Sequence, residues 1–564
     1  MALTLSFSLP MSATSMPVSS FKRLPSRIPT VKAVGVFPSK RIDHKRAIRI
    51  RPCSALDDLT SSLTSVVADT TAAVVDTVAA VVDTTTTTTT KTTTTTVTRD
   101  DFPTDFKFGC ATSAFQTEGS GTEGGRGPST WDSFIQDANT VGTEIATDSY
   151  NRYKEDVQLL KNMGVNTYRF SMSWSRILPE GTIDGGINQA GIDFYNNFIN
   201  ELIANGITPF VTLFHFDLPT ALNTKYTGFL SIDIVEDFKA YADLCFKTFG
   251  DRVKYWATIN EPQVWGRYGF TNTAADANAI TDPLLSTHHV ILAHATAAKL
   301  YKNTYQPTQG GEIGIPIVFE WFEPYEDTPQ DVFAARRAFD FLTGWLLEPL
   351  VYGDYPFVMR ALLRDSLPTF TDEQKELIKG SYDYIGVNYY TSRFADGVAI
   401  SNNDVYTSLD DYQHATTTEV GPDGKLIGPA TPGSTSIFVY PEGLRKALIL
   451  LKNYNNPKVY ITENGYPDKR DDTLSVEKAS IDDARIQHMK DHLAAVRDAR
   501  KTGTNVQGYL MWALLDCMEM GSPYQVRFGL NYTDYLNNLA RTPKKSAGWL
   551  KDFLAGSTTS TTST

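Results

Sequence analysis

The feature that most constrains this chain is an eightfold alternation between residues 101 and 554. Short apolar segments are each followed by a longer segment with helical periodicity, a pattern typical of strand-helix units in a parallel sheet. The eight predicted strands are 106–114, 166–172, 207–215, 253–261, 312–321, 382–390, 458–463 and 506–516. No Pro/Ser-rich linker interrupts the block, so its length does not imply several domains. The alternation predicts an α/β fold, a (β/α)8 TIM barrel with enlarged βα loops that forms a single catalytic domain at 101–555.

The segments between the strands carry one apolar face. In 189–205 the apolar residues Ile192, Tyr195, Phe198, Ile199 and Leu202 recur at helical spacing. The segment 232–249 shows the same spacing. Both are predicted to be helices that cover the barrel.

The first 55 residues differ in composition from the rest of the chain. They contain ten Lys and Arg residues against a single acid, Asp43, and they are rich in Ser and Pro. They lack the uninterrupted apolar segment and small-residue cleavage site of a secretory signal. A basic, Ser-rich and acid-poor leader predicts a chloroplast transit peptide and a plastid protein, with mitochondrial import or a disordered basic tail as the alternatives.

Two further segments have low complexity. Residues 56–100 are dominated by Ala, Val, Asp and Thr, and Asp69, Asp76 and Asp83 recur every seven residues. Val and Thr are poor helix formers, so a flexible linker is the favoured interpretation and a weak self-association helix is the alternative. Residues 556–564 are a Thr/Ser-rich tail, predicted to be disordered.

Charge and cysteine content exclude several classes of function. The formal net charge of -12 disfavours binding to nucleic acid or to an anionic membrane surface. The four cysteines form neither a CxxC motif nor a Cys/His cluster, which argues against a zinc site. The sequence contains no stretch of about 20 apolar residues, so no transmembrane helix is predicted. His288, His289 and His294 lie close in sequence but their spacing puts them on different helix faces, so packing is favoured over metal binding.

Polar residues gather at the predicted strand ends, which is where TIM barrels build their active sites. Strand four ends in Glu261 and strand seven in Glu463. A buried carboxylate at a strand end is costly unless it is partnered. Two carboxylates on opposite sides of a barrel mouth lined by Trp, Tyr, His, Asn and Gln match the needs of glycoside hydrolysis, in which one acts as an acid and the other as a nucleophile.

The sequence resembles family 1 of the glycoside hydrolases, particularly the plant β-glucosidases, over nearly all of 102–554. The matching segments are FGCATSAFQTEG at 108–119, YRFSMSWSRILP at 168–179, TLFHFDLP at 212–219, TINEP at 258–262, NYY at 388–390, ITENG at 461–465 and WALLD at 512–516. Any one of these would be weak on its own. Their number and order make the resemblance specific.

The resemblance implies a role for each matching residue. Glu261 would be the acid/base and Glu463 the nucleophile, with Arg169, Asn260 and Tyr390 in support. The substrate-binding residues would be Gln116, His215, Asn260, Tyr390, Trp512, Glu519 and Phe528. The family is retaining, so the two carboxyl groups are expected about 5 to 5.5 Å apart. No metal or cofactor is implied.

The expected activity is that of a retaining β-glucosidase that hydrolyses a small-molecule glucoside. The substrate would be a plant specialised metabolite, such as a defence glucoside with a bulky steroidal saponin as aglycone. A transglycosidase of the same family is one alternative, and a non-catalytic sugar-binding or assembly protein is another. Self-association into a homo-oligomer stays open.

Two positions depart from the family pattern. Relatives read Asn-Phe-Glu-Trp where this chain reads Cys517-Met518-Glu519-Met520, so an indole that donates to the sugar is missing at 520. Ser436 stands where a Trp that stacks on the aglycone is common. We therefore expect altered sugar contacts and a wider aglycone pocket.

Overall fold

The computed structural model describes residues 96–119, 121–132, 146–269, 277–401, 403–519 and 522–556, with side chains omitted at 268–269. The predicted transit peptide at 1–55, almost all of the predicted linker at 56–100 and the tail from 557 onward lie outside the described residues.

Eight parallel strands form a closed barrel, as predicted. In chain order they are Lys107–Ala111, Thr167–Ser171, Thr208–Phe214, Tyr255–Ile259, Glu312–Pro324, Tyr384–Gly397, Val459–Glu463 and Val506–Trp512. Each strand pairs in parallel with the next, and the eighth strand returns to pair with the first. The (β/α)8 prediction is therefore confirmed, and the carboxyl ends of all eight strands meet at one rim.

Strand lengths differ from those predicted. The fifth and sixth strands run past the rim as far as Pro324 and Gly397, because their ends stay paired with each other and Ala415–Thr418 adds an antiparallel strand to the sixth. The fourth strand instead ends at Ile259, two residues before Glu261. Glu261 has φ 45°, a left-handed conformation that cannot continue a strand.

Outside the barrel the sheets are small. The remaining strands are Ala430–Thr431, Ser434–Phe438, Asp468–Lys469, Val526–Arg527, Asn531–Asp534 and Ala540–Pro543. They form three two-stranded antiparallel sheets, in which Ala430–Thr431 pairs with Ser434–Phe438. These sheets belong to the enlarged loops that were predicted.

The helices surround the barrel. The longer α-helices are Ser149–Met163, Gln189–Ala204, Ile234–Phe249, Thr281–Leu300, Pro329–Phe339, Trp345–Tyr352, Pro441–Leu450, Asp483–Lys501 and Lys545–Leu554. The shorter ones are Ala114–Thr117, Trp174–Ile177, Thr220–Tyr226, Pro262–Val264, Gln306–Gln309, Phe357–Leu363, Asp372–Ile378 and Val476–Ala479. The two predicted covering helices match Gln189–Ala204 and Ile234–Phe249, and both bury the apolar face read from the sequence. In the part of the chain that the structure describes, no helix has the length and apolar character needed to cross a membrane.

Aromatic rings fill the barrel interior below the rim. Phe210, Tyr384 and Tyr460 come from the third, sixth and seventh strands, with ring centroids 5.0 to 5.8 Å apart. The Tyr384 hydroxyl donates to the Trp256 carbonyl over 2.7 Å, which satisfies its buried proton. This packed layer gives the polar groups at the rim a rigid floor.

A buried histidine pair lies on the helix Asp483–Lys501. The rings of His488 and His492 are 3.9 Å apart, and Tyr389 of the sixth strand lies 6.0 Å from His492. His492 Nδ1 donates to the His488 carbonyl over 2.8 Å, and Nε2 has no hydrogen-bond partner among the described residues. Burial lowers the pKa of His492 to about 4, so the ring is neutral in the folded protein at neutral pH.

This histidine should make the fold sensitive to acid. Well above pH 6.5 the His492 ring is neutral in both the folded and the unfolded state, so it has no effect on the pH dependence of stability there. As pH falls from about 6.5 toward 4, His492 binds a proton in the unfolded chain but stays neutral in the folded chain, so the free energy of unfolding decreases. The loss from this group at pH 5 is about 2 kcal/mol relative to pH 7.5.

The variant His492→Phe keeps the ring and removes the titration. We expect its free energy of unfolding to fall less than that of the wild type between pH 7.5 and 5, by about 2 kcal/mol. Urea unfolding followed by tryptophan fluorescence at both pH values measures this difference. Equal pH sensitivity of the two proteins would show that His492 does not contribute.

Candidate active site

The predicted catalytic and substrate-binding residues come from different strands and meet at the carboxyl end of the barrel. Arg169 lies within the second strand and Tyr390 within the sixth, whereas Glu463 and Trp512 end the seventh and eighth strands. His215 directly follows the third strand, and Asn260 and Glu261 directly follow the fourth. Gln116, Glu519 and Phe528 lie in segments that follow the first and eighth strands. All of them are at most 5% exposed. Such a set of buried polar groups requires mutual partners.

Glu463 is held on both oxygens by donors. Arg169 Nη1 lies 2.6 Å from Glu463 Oε1, and the Tyr390 hydroxyl donates to Oε2 over 2.7 Å. Burial raises the pKa of Tyr390 well above its ordinary value, so this hydroxyl keeps its proton and remains a donor. Donors on both oxygens favour the carboxylate form, the form that can act as a nucleophile.

Opposing effects act on the charge of Glu463. Burial raises the pKa of its carboxyl, the Arg169 guanidinium lowers it, and the charge of Glu261 raises it again. Arg169 is the only cation that contacts Glu463 among the described residues, so the ionised state depends on it.

A continuous hydrogen-bond path joins the two carboxyl groups. Arg169 Nη2 donates to Asn260 Oδ1 over 2.6 Å. Asn388 Nδ2 donates to the same oxygen over 3.1 Å and to Glu261 Oε1 over 2.8 Å. Glu463, Arg169, Asn260, Asn388 and Glu261 therefore form one network, which fixes the two carboxyls relative to each other.

Asn388 was missed as a site residue in the sequence, although it stands in the NYY motif. Its Oδ1 accepts from Thr462 over 2.6 Å while its Nδ2 donates twice, so the orientation of the amide is determined. The strand-end rule that pointed to Tyr390 applies equally to Asn388, two residues earlier, and could have found it.

Hydrogen bonds fix the left-handed backbone conformation of Glu261. Its N–H donates to the Pro316 carbonyl over 2.9 Å, and its carbonyl accepts from Val264 and Trp265 at the start of the short helix Pro262–Val264. These bonds hold the left-handed conformation in place. The Glu261 side chain is buried, with 0% exposure.

Ring and amide groups form a second part of the site. The rings of His215 and Trp512 are stacked with centroids 5.8 Å apart. His215 Nε2 lies 3.2 Å from Asn260 Nδ2, whereas His215 Nδ1 has no hydrogen-bond partner in the described protein. Burial and then the Arg169 charge lower the pKa of His215 well below its ordinary value, so the ring is neutral. A neutral imidazole with one unused nitrogen suits a sugar hydroxyl.

Glu519 is the third buried carboxyl of the site. Its Oε1 accepts from the Trp512 indole over 3.3 Å, and Oε2 has no partner in the described residues. Burial raises the pKa of Glu519 to about 8, so the group carries a proton at neutral pH. Gln116 lies nearby and donates to the Met518 carbonyl over 2.7 Å. Glu519 thus differs from Glu463 in charge, which suits a binding rather than a nucleophilic role.

The remaining predictions have mixed outcomes. Phe528 lies against Tyr390, with ring centroids 6.0 Å apart. Met520 falls outside the described residues, so the effect of its missing indole stays a prediction. Ser436 lies on the strand Ser434–Phe438 and lines a cavity that it shares with Glu519 and Phe528.

The three clustered histidines of the helix Thr281–Leu300 have separate packing partners. His288 stacks on Phe370 at 4.4 Å, His289 Nδ1 contacts the Phe229 carbonyl, and His294 Nδ1 contacts Thr258. Across the described ranges, no group of three His, Cys, Asp or Glu side chains is arranged to hold a metal ion.

Ion pairs support the site from below. Asp516 accepts from Lys544 over 2.7 Å, from Arg527 over 2.8 Å and from the Gly529 N–H over 2.9 Å. These cations hold the pKa of Asp516 below its ordinary value despite its burial. Asp516 therefore anchors the segment that follows Trp512.

Comparisons with known proteins agree with this geometry. The profile of Glycosyl hydrolase family 1 matches residues 98–558. β-Glucosidase 24 of Oryza sativa subsp. japonica is 46% identical over 81% of this chain and 94% of its own length. Furostanol glycoside 26-O-β-glucosidase of Hellenia speciosa is 48% identical over 81% of this chain and 83% of its own length.

A solved structure extends the agreement to three dimensions. A mutant of the rice Os3BGlu6 β-glucosidase, in a covalent complex with Glc from GA4GE, superimposes with a TM-score of 0.77 at 40% identity. The alignment covers 81% of this chain and 99% of the rice chain. From its profile match, its relatives and its barrel, the chain belongs to glycosyl hydrolase family 1.

Proposed function

We propose that this enzyme is a retaining β-glucosidase that hydrolyses the O-β-glucosidic bond of a plant specialised-metabolite glucoside by double displacement. The observation that carries the proposal is the buried Glu463 carboxylate, held by Arg169 and Tyr390 and joined through Asn260 and Asn388 to Glu261. The covalent Glc complex of the rice relative supports a glucosyl-enzyme step.

In the first step the Glu463 carboxylate attacks the anomeric carbon of the bound glucose. Glu261 gives its proton to the glycosidic oxygen, so the bond to the aglycone breaks and the aglycone leaves as an alcohol. Asn388 holds the Glu261 carboxyl through Oε1 during this transfer. The product is a glucosyl ester of Glu463.

In the second step water replaces the aglycone. Glu261, now a carboxylate, takes a proton from the water, whose oxygen attacks the anomeric carbon and releases Glu463. Arg169 and Tyr390 receive the departing carboxylate in their original hydrogen bonds. Two inversions at one carbon leave the β configuration unchanged.

The proposed class of aglycone is supported by the names of two relatives. The Hellenia enzyme is named for a furostanol glycoside, and a Rauvolfia serpentina relative that is 45% identical is named for raucaffricine. Both names denote β-glucosidases of plant natural products. A glucoside of this kind, stored for defence, is the substrate class that we assign to this chain.

Covalent labelling tests the nucleophile. A 2-deoxy-2-fluoroglucoside should form a stable ester on Glu463, located by mass spectrometry of peptides, because the fluorine slows the second step. Glu463→Gln should lose at least about 10⁴-fold in kcat for an aryl β-glucoside, since the nucleophile is gone. The control Glu442→Gln changes a glutamate that pairs with Arg445 on a covering helix and should keep wild-type rates. A label on any other carboxylate would overturn the assignment.

Chemical rescue tests the acid/base. Glu261→Gly should lose about 10²- to 10⁴-fold in activity toward substrates with poor leaving groups. With a dinitrophenyl β-glucoside, azide should enter the vacated space and restore turnover with β-glucosyl azide as product. The absence of rescue, or an α-azide, would contradict the proposed role of Glu261.

We also propose that residues 1–55 direct the enzyme to the plastid. Its support is the ratio of ten basic residues to one acidic residue and the high Ser content. Incubated with isolated chloroplasts, the full chain should become protease-protected and shortened, whereas a chain lacking residues 1–55 should stay outside. Protection of the chain that lacks residues 1–55, or import of the full chain into mitochondria alone, would reject the plastid address.

A further inference from the structure

A cluster of buried charges joins the C-terminal helix, Lys545–Leu554, to the segments that follow the seventh and eighth strands. Its members, each at most 4% exposed, are Asp482, Arg485, Asp516, Arg527 and Lys544. Three cations against two carboxylates leave one positive charge in excess. A buried charge that is not balanced costs free energy. The role of the third cation, Lys544, therefore requires an explanation.

Lys544 is bound through both its side chain and its backbone. Nζ donates to Asp516 Oδ1 over 2.7 Å, and the backbone N–H donates to the Leu530 carbonyl over 3.0 Å. Lys544 directly precedes the C-terminal helix. The start of that helix is fixed in turn, because the Ser546 N–H and hydroxyl donate to the Asp482 carboxylate over 2.8 and 2.6 Å. The ammonium group therefore has a defined position.

The side-chain partner of Lys544 holds one of the two chain segments that carry sugar-site residues. Asp516 lies four residues after Trp512 and three before Glu519. Its N–H donates to the Asn531 carbonyl over 3.0 Å, and its carbonyl accepts from the Thr533 hydroxyl over 2.8 Å. Since both carboxylate oxygens also accept hydrogen bonds from cations, Asp516 is fixed in one position between Trp512 and Glu519.

The backbone partner of Lys544 belongs to the second of these segments. Leu530 lies two residues after Phe528, and its N–H donates to the Ala513 carbonyl over 2.9 Å. The Ala513 N–H donates to the Phe528 carbonyl over 3.2 Å. Because Ala513 directly follows Trp512, the bond from Lys544 to Leu530 supports the backbone that carries both aromatic residues.

We propose that Lys544 is a positioning residue for the sugar site. Its ammonium group, through Asp516, holds the segment that carries Trp512 and Glu519 in the arrangement that binds the glucosyl group. The nucleophile Glu463 is held separately, by donors of its own. Loss of the Lys544 charge should therefore weaken glucoside binding more than it slows bond cleavage. This inference rests on the proposed β-glucosidase function and adds a residue that lies outside the motifs of the sequence.

The charge of Lys544 is sensitive to pH. Burial, and then the Arg485 charge, lower the pKa of Lys544 to about 8, although the charges of Asp516 and Asp482 raise it. Arginine does not lose its proton in proteins, so Lys544 is the cation of this cluster that titrates. The group is charged below its pKa, so the ammonium is present at pH 7 and is largely lost at pH 9.

Other groups also face the cluster. Asp472 lies 3.9 Å from Arg527, and the rings of Tyr532 and Tyr535 lie 4.2 and 5.0 Å from the Arg527 guanidinium. Burial raises the pKa of both phenols, so they stay neutral at pH 9. Glu519 in the sugar site has a pKa of about 8 and titrates in the same range as Lys544. A variant with a permanent charge at 544 separates the two groups.

Replacement of Lys544 tests the assignment at pH 7. Lys544→Met removes the charge and keeps an unbranched side chain. It should raise the Ki of an aryl 1-thio-β-glucoside, used as a competitive inhibitor, at least tenfold. The kcat for an aryl β-glucoside should fall no more than threefold. Lys544→Arg keeps a cation and should hold Ki within threefold of the wild type.

The matched control is Lys545→Met, which removes the neighbouring lysine. Lys545 pairs with Asp483 in an exposed ion pair, so its loss should change neither Ki nor kcat. An increase in Ki below threefold in Lys544→Met would overturn the proposal, and so would a fall in kcat that exceeds the increase in Ki.

The pH dependence of Ki gives a test that does not require Lys544→Met to fold. Between pH 7 and 9 the wild type loses the charge at 544, whereas Lys544→Arg keeps it. Ki should rise at least threefold more in the wild type than in Lys544→Arg, because Glu519 titrates in both proteins. A constant Ki in the wild type, or equal pH profiles, would refute the role of Lys544. A wild type that neither binds nor hydrolyses the glucosides would instead reject the proposed function.

Discussion

The Arg169 guanidinium is the group on which the rest of the site depends. It is fully buried and has contacts with the Glu463 carboxylate, the Asn260 amide, the Thr212 hydroxyl and the Thr462 carbonyl. A buried cation is tolerable when hydrogen bonds engage its donors and an anion lies beside it. Arg169 makes four such bonds, one of them to the Glu463 carboxylate, and it positions one carboxylate directly and the other through two amides. Loss of its charge would leave Glu463 buried and unpaired, so folding and catalysis have the same requirement here.

Three buried carboxyls in and beneath the active site acquire different chemistry from their neighbours. Glu463 has a cation and a phenol on its oxygens, whereas Glu519 has an indole N–H and a thiol but no cation among the described residues, and its pKa rises to about 8. Asp516, one layer below, pairs with two cations and its pKa falls. The residue types alone do not distinguish these carboxyls. Their partners come from segments that are distant in sequence.

Much of the barrel could be predicted from the sequence because each strand-helix unit is a local pattern. The periodicity of 189–205 and the apolar run of 458–463 are sufficient to place a helix and a strand. The extension of the sixth strand to Gly397 could not be predicted in this way, because it depends on pairing with Ala415–Thr418. No local sequence pattern indicates that pairing. In the site, motif residues such as Glu261 and Glu463 were found at strand ends, but the double donation by Asn388 depends on two groups that follow the fourth strand, far from Asn388 in sequence. The cavity at Ser436 likewise depends on a wall that folds back from the loop after the sixth strand.

The backbone of Glu261 shows what the active site requires of the fold. A non-glycine residue in the left-handed region costs on the order of 1 kcal/mol or more, and glycine would occupy the same position without that cost. The chain keeps a glutamate there and holds it with backbone bonds to Pro316, Val264 and Trp265. Selection for stability alone would favour glycine at this position. At this position the requirement for a catalytic carboxyl therefore outweighs the stability that glycine would give.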